Sequence, residues 1–483
     1  MTSTNIKTDG RKIVIDPITR VEGHGKVTIR LNAVGGVEQA RFHVVEFRGF
    51  ERFIRGRFYW EAPVVIQRLC GICPVSHHLC AAKAMDVIVG VDRLTPTAEK
   101  MRRLMHYGQI LQSNALHFFH LASPDLLFGF DAPAMQRNIV GLAQAHPEIA
   151  KRAILIRKYG QEIIKATGGR KIHATSAVPG GFNQNLSIEN RDALRKDLEQ
   201  ITGWTLESLE LCKKIARADW RRHTEFGSFP SNYVSIVGKN GEMDMYDGRL
   251  RAIDAQGVKI FDGVTPMEYC DYLMEEVRSW SYMKFPHIKS LGKERGWYRV
   301  GPLAVLNCCD CIDTPLAEKE RQAFLAAGWG RPVHATLGYH WARIICMVYA
   351  IEKIKEMLFD DDLQGTELMA TGSRRNEGVA WIEAPRGTLF HHYKVDEHDQ
   401  ITSANLIVST TSNNEALNRS VQKVAEDYLA GQEITEGLLN HIEVAVRAYD
   451  PCLSCATHAI GRMPLIVTLE GPDGIEISRR ARA

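Results

Sequence analysis

The spacing of apolar residues changes character several times along this chain of 483 residues. Between residues 12 and 50 the segments KIVIDPI, KVTIRLN and ARFHVVEF alternate apolar and polar positions, are rich in β-branched side chains, and are interrupted by VGG at 34–36. Alternation puts one face of a strand on a core and the other in water, so this stretch predicts a small N-terminal sheet. From about Leu79 to His223 apolar residues recur three and four apart instead, as in TAEKMRRLMHYGQILQSNALHFFHLA (97–122) and RDALRKDLEQITGWTLESLELCKKIARADWRR (191–222). That period gathers them on one side of a helix, and the lengths suit bundle helices. Residues 224–300 give only mixed signals. VHATLGYHWARIICMVYAIEKIKEML (333–358) reads as a buried helix, 379–411 alternate like a hairpin turning near Asp396 to Asp399, and two more helices are expected at about 414–429 and 435–447. The expected fold class is α+β, predominantly helical: a core of long bundled helices with a small N-terminal sheet and a C-terminal β-hairpin region. No repeat, low-complexity tract or Pro/Ser linker marks a boundary, so one interwoven unit is the default.

Composition narrows the class without deciding it. With 45% hydrophobic and 24% charged residues the chain is that of an ordinary globular protein, and its longest apolar run, IICMVYAI, is too short to cross a bilayer. A net charge of +3 with no dense basic tract argues against a nucleic-acid surface. The N-terminus lacks the apolar core of a secretory signal, which favours the cytoplasm unless a partner's signal carries the chain out. Eleven cysteines then read as reduced thiols or metal ligands rather than a disulfide framework.

Two cysteine pairs carry the chemistry: RLCGICPVSHH (68–78) and DPCLSCATHAIG (450–461). Two thiolates at i and i+3 can point into one metal site, a spacing shared by zinc and iron-sulfur proteins. A structural tetrathiolate zinc site and a thioredoxin-like redox pair both remain open on spacing alone. If Pro74 takes the first helical position, Cys73 sits at a helix N-terminus, where free N–H groups and the dipole lower thiol pKa values, with His77 one turn beyond. Zinc knuckles usually close small loops, whereas these pairs join segments nearly the whole chain apart.

Together the two pairs resemble the signatures of the large subunit of nickel-iron hydrogenases, R-x-C-G-x-C-x-x-x-H and D-P-C-x-x-C-x-x-H. The resemblance continues through DPITRVEGHGKVTI (16–29), FRGFE (47–51), GPLAVLN (301–307), EAPRG (383–387) and LIVSTTSNN (406–414), and so covers about residues 12 to 460. It implies that fold, and a nickel-iron centre with carbon monoxide and cyanide on the iron. Cys70 and Cys452 would be terminal nickel ligands, and Cys73 and Cys455 would bridge nickel to iron. The Cys452 thiolate would take the proton from split dihydrogen and pass it to Glu22. Arg386 would stand over the open metal position, paired with and restrained by Asp125. Thr410 would donate to a cyanide, and His77 would bond the sulfur of Cys73. A magnesium ion would be held by Glu51, the carbonyl of Leu406, His458 and waters. Read without the resemblance, Glu22 is a surface strand residue and Asp125 a helix-terminal or loop carboxylate.

Two departures stand out. Ser409 replaces a common proline, and Val305 stands where an arginine is frequent. Cys308, Cys309 and Cys311 match no motif and read as small buried hydrophobes. The resemblance also implies that the mature chain is residues 1–458, with a protease cutting between His458 and Ala459 to discard 459–483 once nickel is in place. That tail itself reads as a hairpin. Beyond the four ligands no set of four cysteines or Gly-rich βαβ fingerprint is evident, so neither an iron-sulfur cluster nor NAD is expected on this chain. The implied partners are an iron-sulfur small subunit, NAD-reducing diaphorase subunits, a maturation endopeptidase and nickel-insertion proteins. The expected reaction is reversible cleavage of dihydrogen to protons and electrons, in the NAD-linked cytoplasmic subgroup. The alternatives are a deazaflavin-linked hydrogenase, a related non-catalytic subunit of the respiratory NADH dehydrogenase type, which lacks these cysteines, and a zinc scaffold.

Overall fold

A computed structural model describes residues 12–32, 35–457, 465–470 and 476–482. The N-terminal alternation forms a meander of Lys12–Ile15, Gly25–Leu31 and Val37–Val44. Its inner face buries Ile13, Ile15, Val27, Ile29, Phe42 and Val44. Helix Asn414–Tyr428 packs across Val37–Val44, and its Gln422 and Asn418 side chains accept from Ala40 N and Phe42 N. A later element thus fixes the first sheet.

Four helices make the bundle: Pro96–Leu116, Pro147–Gly168, Ile188–Ala218 and Gly338–Leu358, each packed on two of the others in a closed ring. The first two cross at two glycines: a Cβ on Gly160 would lie 2.6 Å from the Gly108 carbonyl oxygen. Thr95 caps the first through Ala98 N, and Ser187 caps the third through Asn190 N. The single helix expected over 97–122 ends as α-helix at Leu116 and continues as a π-turn, His117–Ala122, before the short helix Ser123–Phe128. Pro124 has no N–H to donate, and Ser123 Oγ bonds the Phe119 carbonyl at 2.6 Å. The helix expected over 191–222 breaks at Asp219, whose side chain caps the next helix, Trp220–Glu225. The one expected from 333 begins at Gly338, because Asn307 holds both Val333 N and Val333 O, at 2.9 and 3.0 Å.

The ambiguous stretch after residue 224 folds as a sheet of Asn232–Val237, Arg249–Ile253 and Lys259–Val264, with Tyr298–Arg299 parallel at the Asn232 edge. Asn232–Val237 is buried on both faces, which erases the alternation a reader looks for. The expected hairpin is a three-stranded meander: Glu377–Ala384, Gly387–Val395 and Ile401–Ile407. Its second turn falls at Asp396–Gln400, as expected; its first, at Pro385–Arg386, links Ala384 to its paired Gly387. Gly387 adopts φ 127°, and a Cβ there would lie 2.4 Å from Gly301 N, so no larger residue fits. Helix Glu436–Ala448 leads into the second cysteine pair, and Leu465–Glu470 pairs antiparallel with Glu476–Arg482 as the tail hairpin.

Candidate metal centre

The first pair lies at the start of helix Pro74–Ile88, with Pro74 at its first position and Cys73 just before it. Cys70 precedes it in extended backbone, and its sulfur accepts from Ile72 N at 3.2 Å and Cys73 N at 3.4 Å. The second pair follows Asp450, which turns the chain with φ 54°. Cys452 then forms a parallel β-bridge with Glu22, and Leu453 N donates to Glu22 O at 3.0 Å. Gly23 makes this approach possible. It has φ 83°, and a Cβ there would sit 2.8 Å from Leu453 Cβ and 2.9 Å from Ser454 N.

The four sulfurs meet. Cys70 to Cys452 is 3.3 Å, Cys70 to Cys73 3.5 Å, Cys73 to Cys455 3.7 Å and Cys452 to Cys455 3.0 Å. All lie within 4.8 Å of one another and all four residues are buried. In a shell with metal–sulfur bonds of about 2.3 Å, neighbouring sulfurs sit about 3.3–3.8 Å apart, so the cradle has the size of a four-thiolate metal site. Hydrogen bonding from Cys452, Cys455 and Cys73 holds the Cys70 thiol well below its usual pKa, and similar bonds from Cys452 and Cys455 bring Cys73 to about 6. Burial drives Cys452 and Cys455 well above theirs. The cradle therefore retains protons that a cation would displace.

Arg386 closes the cradle from the tight turn, lining one cavity with Cys73, His77, Thr410, Cys452 and Cys455. Its Nε donates to Asp450 O at 2.7 Å and its Nη2 to Asp450 Oδ1 at 3.1 Å, while Nη1 lies 3.5 Å from Ser113 Oγ. Burial alone would lower its pKa, but the neighbouring Asp450, followed by Cys452, Cys73 and Cys70, outweighs it. The expected Arg386–Asp125 pair is thus corrected: the carboxylate beside Arg386 is Asp450. Asp125 is held elsewhere, by Arg20 Nη2 at 2.5 Å, Arg447 Nη1 at 2.9 Å and Asn440 Nδ2 at 3.1 Å. Burial would raise its pKa, yet these two arginines keep it below the usual range.

Glu22 Oε2 accepts from Cys452 Sγ at 3.1 Å and from Ser454 N at 3.0 Å. Thr410 Oγ1 accepts from Cys452 N at 2.9 Å, which leaves its hydroxyl proton for the cavity. Ser409 Oγ donates to Gly387 O at 2.6 Å, and Val305 is buried. His77 Nδ1 lies 3.2 Å from His391 Nε2.

Glu51 is buried, and its Oε1 accepts from Leu406 N at 2.8 Å and Lys284 Nζ at 2.9 Å. Lys284 also reaches Asn405 Oδ1 at 2.8 Å and Glu275 Oε1 at 3.2 Å. Burial raises the Glu51 pKa against the pull of Lys284. The counter-charge of Glu51 and Glu275 in this structure is the Lys284 ammonium, which bonds both carboxylates and the Asn405 amide oxygen. His458 and Ala459 lie outside the described residues. Cys308 and Cys309 are buried, as filler would be, but Cys311 is exposed, contrary to expectation. It lies one residue past the exposed Asp310, whose Oδ2 accepts from the buried Arg251 Nη1 at 3.0 Å.

Sequence reasoning missed Asp450, Lys284 and His391. Asp450 stood in plain view inside the second motif; nothing in the sequence marked the other two.

Family comparison agrees with this geometry. The family described as nickel-dependent hydrogenase matches residues 48–136 and 237–458, and one described as HoxL-like matches 12–47. The chain is 49% identical to the NAD-reducing hydrogenase HoxS subunit beta of Cupriavidus necator, over 98% of this chain and 100% of that one. It is 42% identical to a chain of the F420-non-reducing hydrogenase vhc of Methanococcus voltae, over 95% and 97%. A crystal structure of an NAD+-reducing [NiFe]-hydrogenase in the H2-reduced state superposes with a TM-score of 0.91 at 56% identity, covering 94% of this chain and 100% of that chain. With matching motifs, a four-sulfur cradle and full-length relatives, the chain belongs to the nickel-dependent hydrogenase family.

Proposed function

We propose that this chain is the catalytic large subunit of a nickel-iron hydrogenase that cleaves dihydrogen reversibly and sends the electrons through an iron-sulfur small subunit to NAD on diaphorase subunits. The observation that carries the reading is the meeting of four buried thiols, with Arg386 in the cavity beside three of them and Glu22 bonded to the Cys452 sulfur. Cys70 and Cys452 would hold nickel terminally, with Cys73 and Cys455 bridging to an iron that carries carbon monoxide and cyanide. Such a centre, when bound, supplies a metal position at which dihydrogen is split heterolytically.

The chain's own groups then handle the proton. Cys452 Sγ has the Glu22 carboxylate 3.1 Å away, so a proton on that sulfur has an acceptor within reach. Ser454 N fixes the carboxylate in place. Arg386, held at Nε and Nη2 by Asp450, keeps a rigid guanidinium over the cavity. Thr410 and His77, which line the same cavity, would supply donors to a cyanide and to the Cys73 sulfur. Glu51, the Leu406 carbonyl and His458 would hold magnesium, clamping the N-terminal part to the last motif.

Partner docking is supported by the exposed residues of 47–60, Phe47, Phe53, Phe58 and Trp60 with Arg48, Arg52 and Arg55, of which Arg48 Nη1 reaches Leu69 O, next to Cys70, at 3.5 Å. Large exposed aromatics interleaved with arginine are the residues enriched at protein interfaces. No helix among the described residues is long and apolar enough to cross a membrane, and a cytoplasmic complex is our reading. Maturation would cut His458 from Ala459, with nickel-insertion proteins and an endopeptidase as transient partners.

The test is metal analysis and turnover of the processed complex purified with its partners. Nickel and iron with dihydrogen-dependent NAD reduction are expected, and a large-subunit mass lacking residues 459–483. Zinc without nickel would overturn the reading; reduction of a deazaflavin instead of NAD would replace the acceptor.

A further inference from the structure

Behind the cradle the strand Gly387–Val395 carries His391 and Tyr393, two residues apart and therefore on the same face of the sheet, towards helix Pro74–Ile88. Tyr393 OH lies 2.8 Å from His391 Nδ1, and His391 Nε2 lies 3.2 Å from His77 Nδ1. Tyr393 and His391 are entirely buried, and His77 lines the cavity with Cys73. Neither His391 nor Tyr393 was singled out by the sequence, and the reaction as described above uses neither.

The chain of contacts has a polarity. Among the described residues the Tyr393 hydroxyl has His391 Nδ1 as its sole hydrogen-bond partner, and a buried O–H without an acceptor is costly. Burial also keeps the phenol pKa well above its usual value, so the proton stays on Tyr393. The hydroxyl therefore donates to Nδ1. An uncharged imidazole has one N–H, so the His391 proton is on Nε2 and donates to His77 Nδ1. By the same rule the His77 proton is on Nε2, the ring nitrogen left for the cavity. We propose that Tyr393 and His391 are positioning residues that fix the tautomer of His77, making it a hydrogen-bond donor towards the thiolate cradle. A sheet thereby dictates the direction of a hydrogen bond at the metal site, two side chains away. Reversing the relay would present His77 Nε2 as a lone pair facing sulfur.

The inference rests on the nickel-iron reading, and the test separates the two. In the processed complex, Tyr393→Phe removes the hydroxyl at constant shape. Loss of an N–H donor makes a thiolate a better electron donor, so the carbon monoxide stretch should move to lower wavenumber and the midpoint potential should fall, with nickel content unchanged. Adding His391→Gln restores an amide donor to His77 Nδ1 that does not depend on residue 393, and should move both readouts back towards wild type. Unchanged stretches and potential in Tyr393→Phe would overturn the proposal, as would failure of His391→Gln to reverse the shift. If Tyr393→Phe does not load nickel, His391→Gln and His391→Leu carry the test: equal band positions in the two overturn it, and a shift in His391→Leu alone supports it. Absence of carbon monoxide and cyanide bands from the wild-type complex would instead sink the nickel-iron reading itself.

Discussion

Glu22 Oε2 takes its two partners from the far end of the chain, Cys452 Sγ and Ser454 N. If it receives the proton, Glu22→Gln keeps the shape and removes the base: dihydrogen turnover should fall by about 10²–10⁴-fold with nickel content unchanged. Asp125 has the opposite character. Breaking one partner out of a buried ion network costs roughly 3–5 kcal/mol, so Asp125→Asn should lower the thermal midpoint markedly. Because Arg447 and Arg20 hold its pKa down, its contribution is complete above the ordinary aspartate pKa and is lost as pH falls through the folded value. Glu383 runs the other way. Burial pushes it up from 4.5 to about 7, against hydrogen bonds from Thr388, Ile236 N and Ser235. Its favourable neutral form is fully present below pH 4.5 and its contribution is lost as pH rises through about 7, some 3 kcal/mol at about 1.4 kcal/mol per unit. Urea midpoints of the metal-free chain between pH 5 and 8 should decline less in Glu383→Gln than in wild type. The four cysteines were legible because spacing and chemistry travel together. The choice between Asp125 and Asp450 as the partner of Arg386 was not, since both are aspartates beside a proline and only packing puts one of them 3.1 Å from the guanidinium.

Among elements, the strongly periodic ones were readable. The N-terminal strands, three of the four bundle helices and the turn at Asp396–Gln400 fall near their expected places, and the fourth helix, Pro147–Gly168, lies inside a stretch read only broadly as helical. What failed did so where side chains capture backbone: Asp219 splitting a helix, Asn307 peeling residues 333–337 from another. Asn232–Val237 failed because burial on both faces removes the pattern. The turn at Pro385–Arg386 was hidden inside an apparently continuous alternation, yet it aims the arginine. The Glu22–Cys452 bridge depends on another tight place, at Gly23. Gly23→Ala must bear a left-handed backbone, about 1–3 kcal/mol of strain, and a collision with Leu453 and Ser454. The purified complex should retain less nickel, as metal analysis would show, while the bundle's helical circular dichroism persists.

For the molecule as a whole, the first and last segments are sewn together by polar groups. Thr19 N donates to Glu443 Oε1 at 2.7 Å, Arg447 Nε to Thr19 O at 3.1 Å, and Arg447 Nη1 to Asp125 at 2.9 Å. A bound metal would add a second tie across the same gap, from Cys70 and Cys73 to Cys452 and Cys455. Any ligand that binds the folded form alone stabilises it by mass action. Stripping the metals should therefore lower the thermal midpoint, and hydrogen exchange should rise first in residues 16–24 and 449–457 rather than in the bundle. The sulfurs that meet at 3.3 Å, on Cys70 and Cys452, are 382 positions apart, so a loop made of most of the chain has to close before a complete nest exists. A polypeptide still emerging from the ribosome owns half a binding site at most; nickel delivery is thereby confined to the finished chain, whatever machinery carries it there.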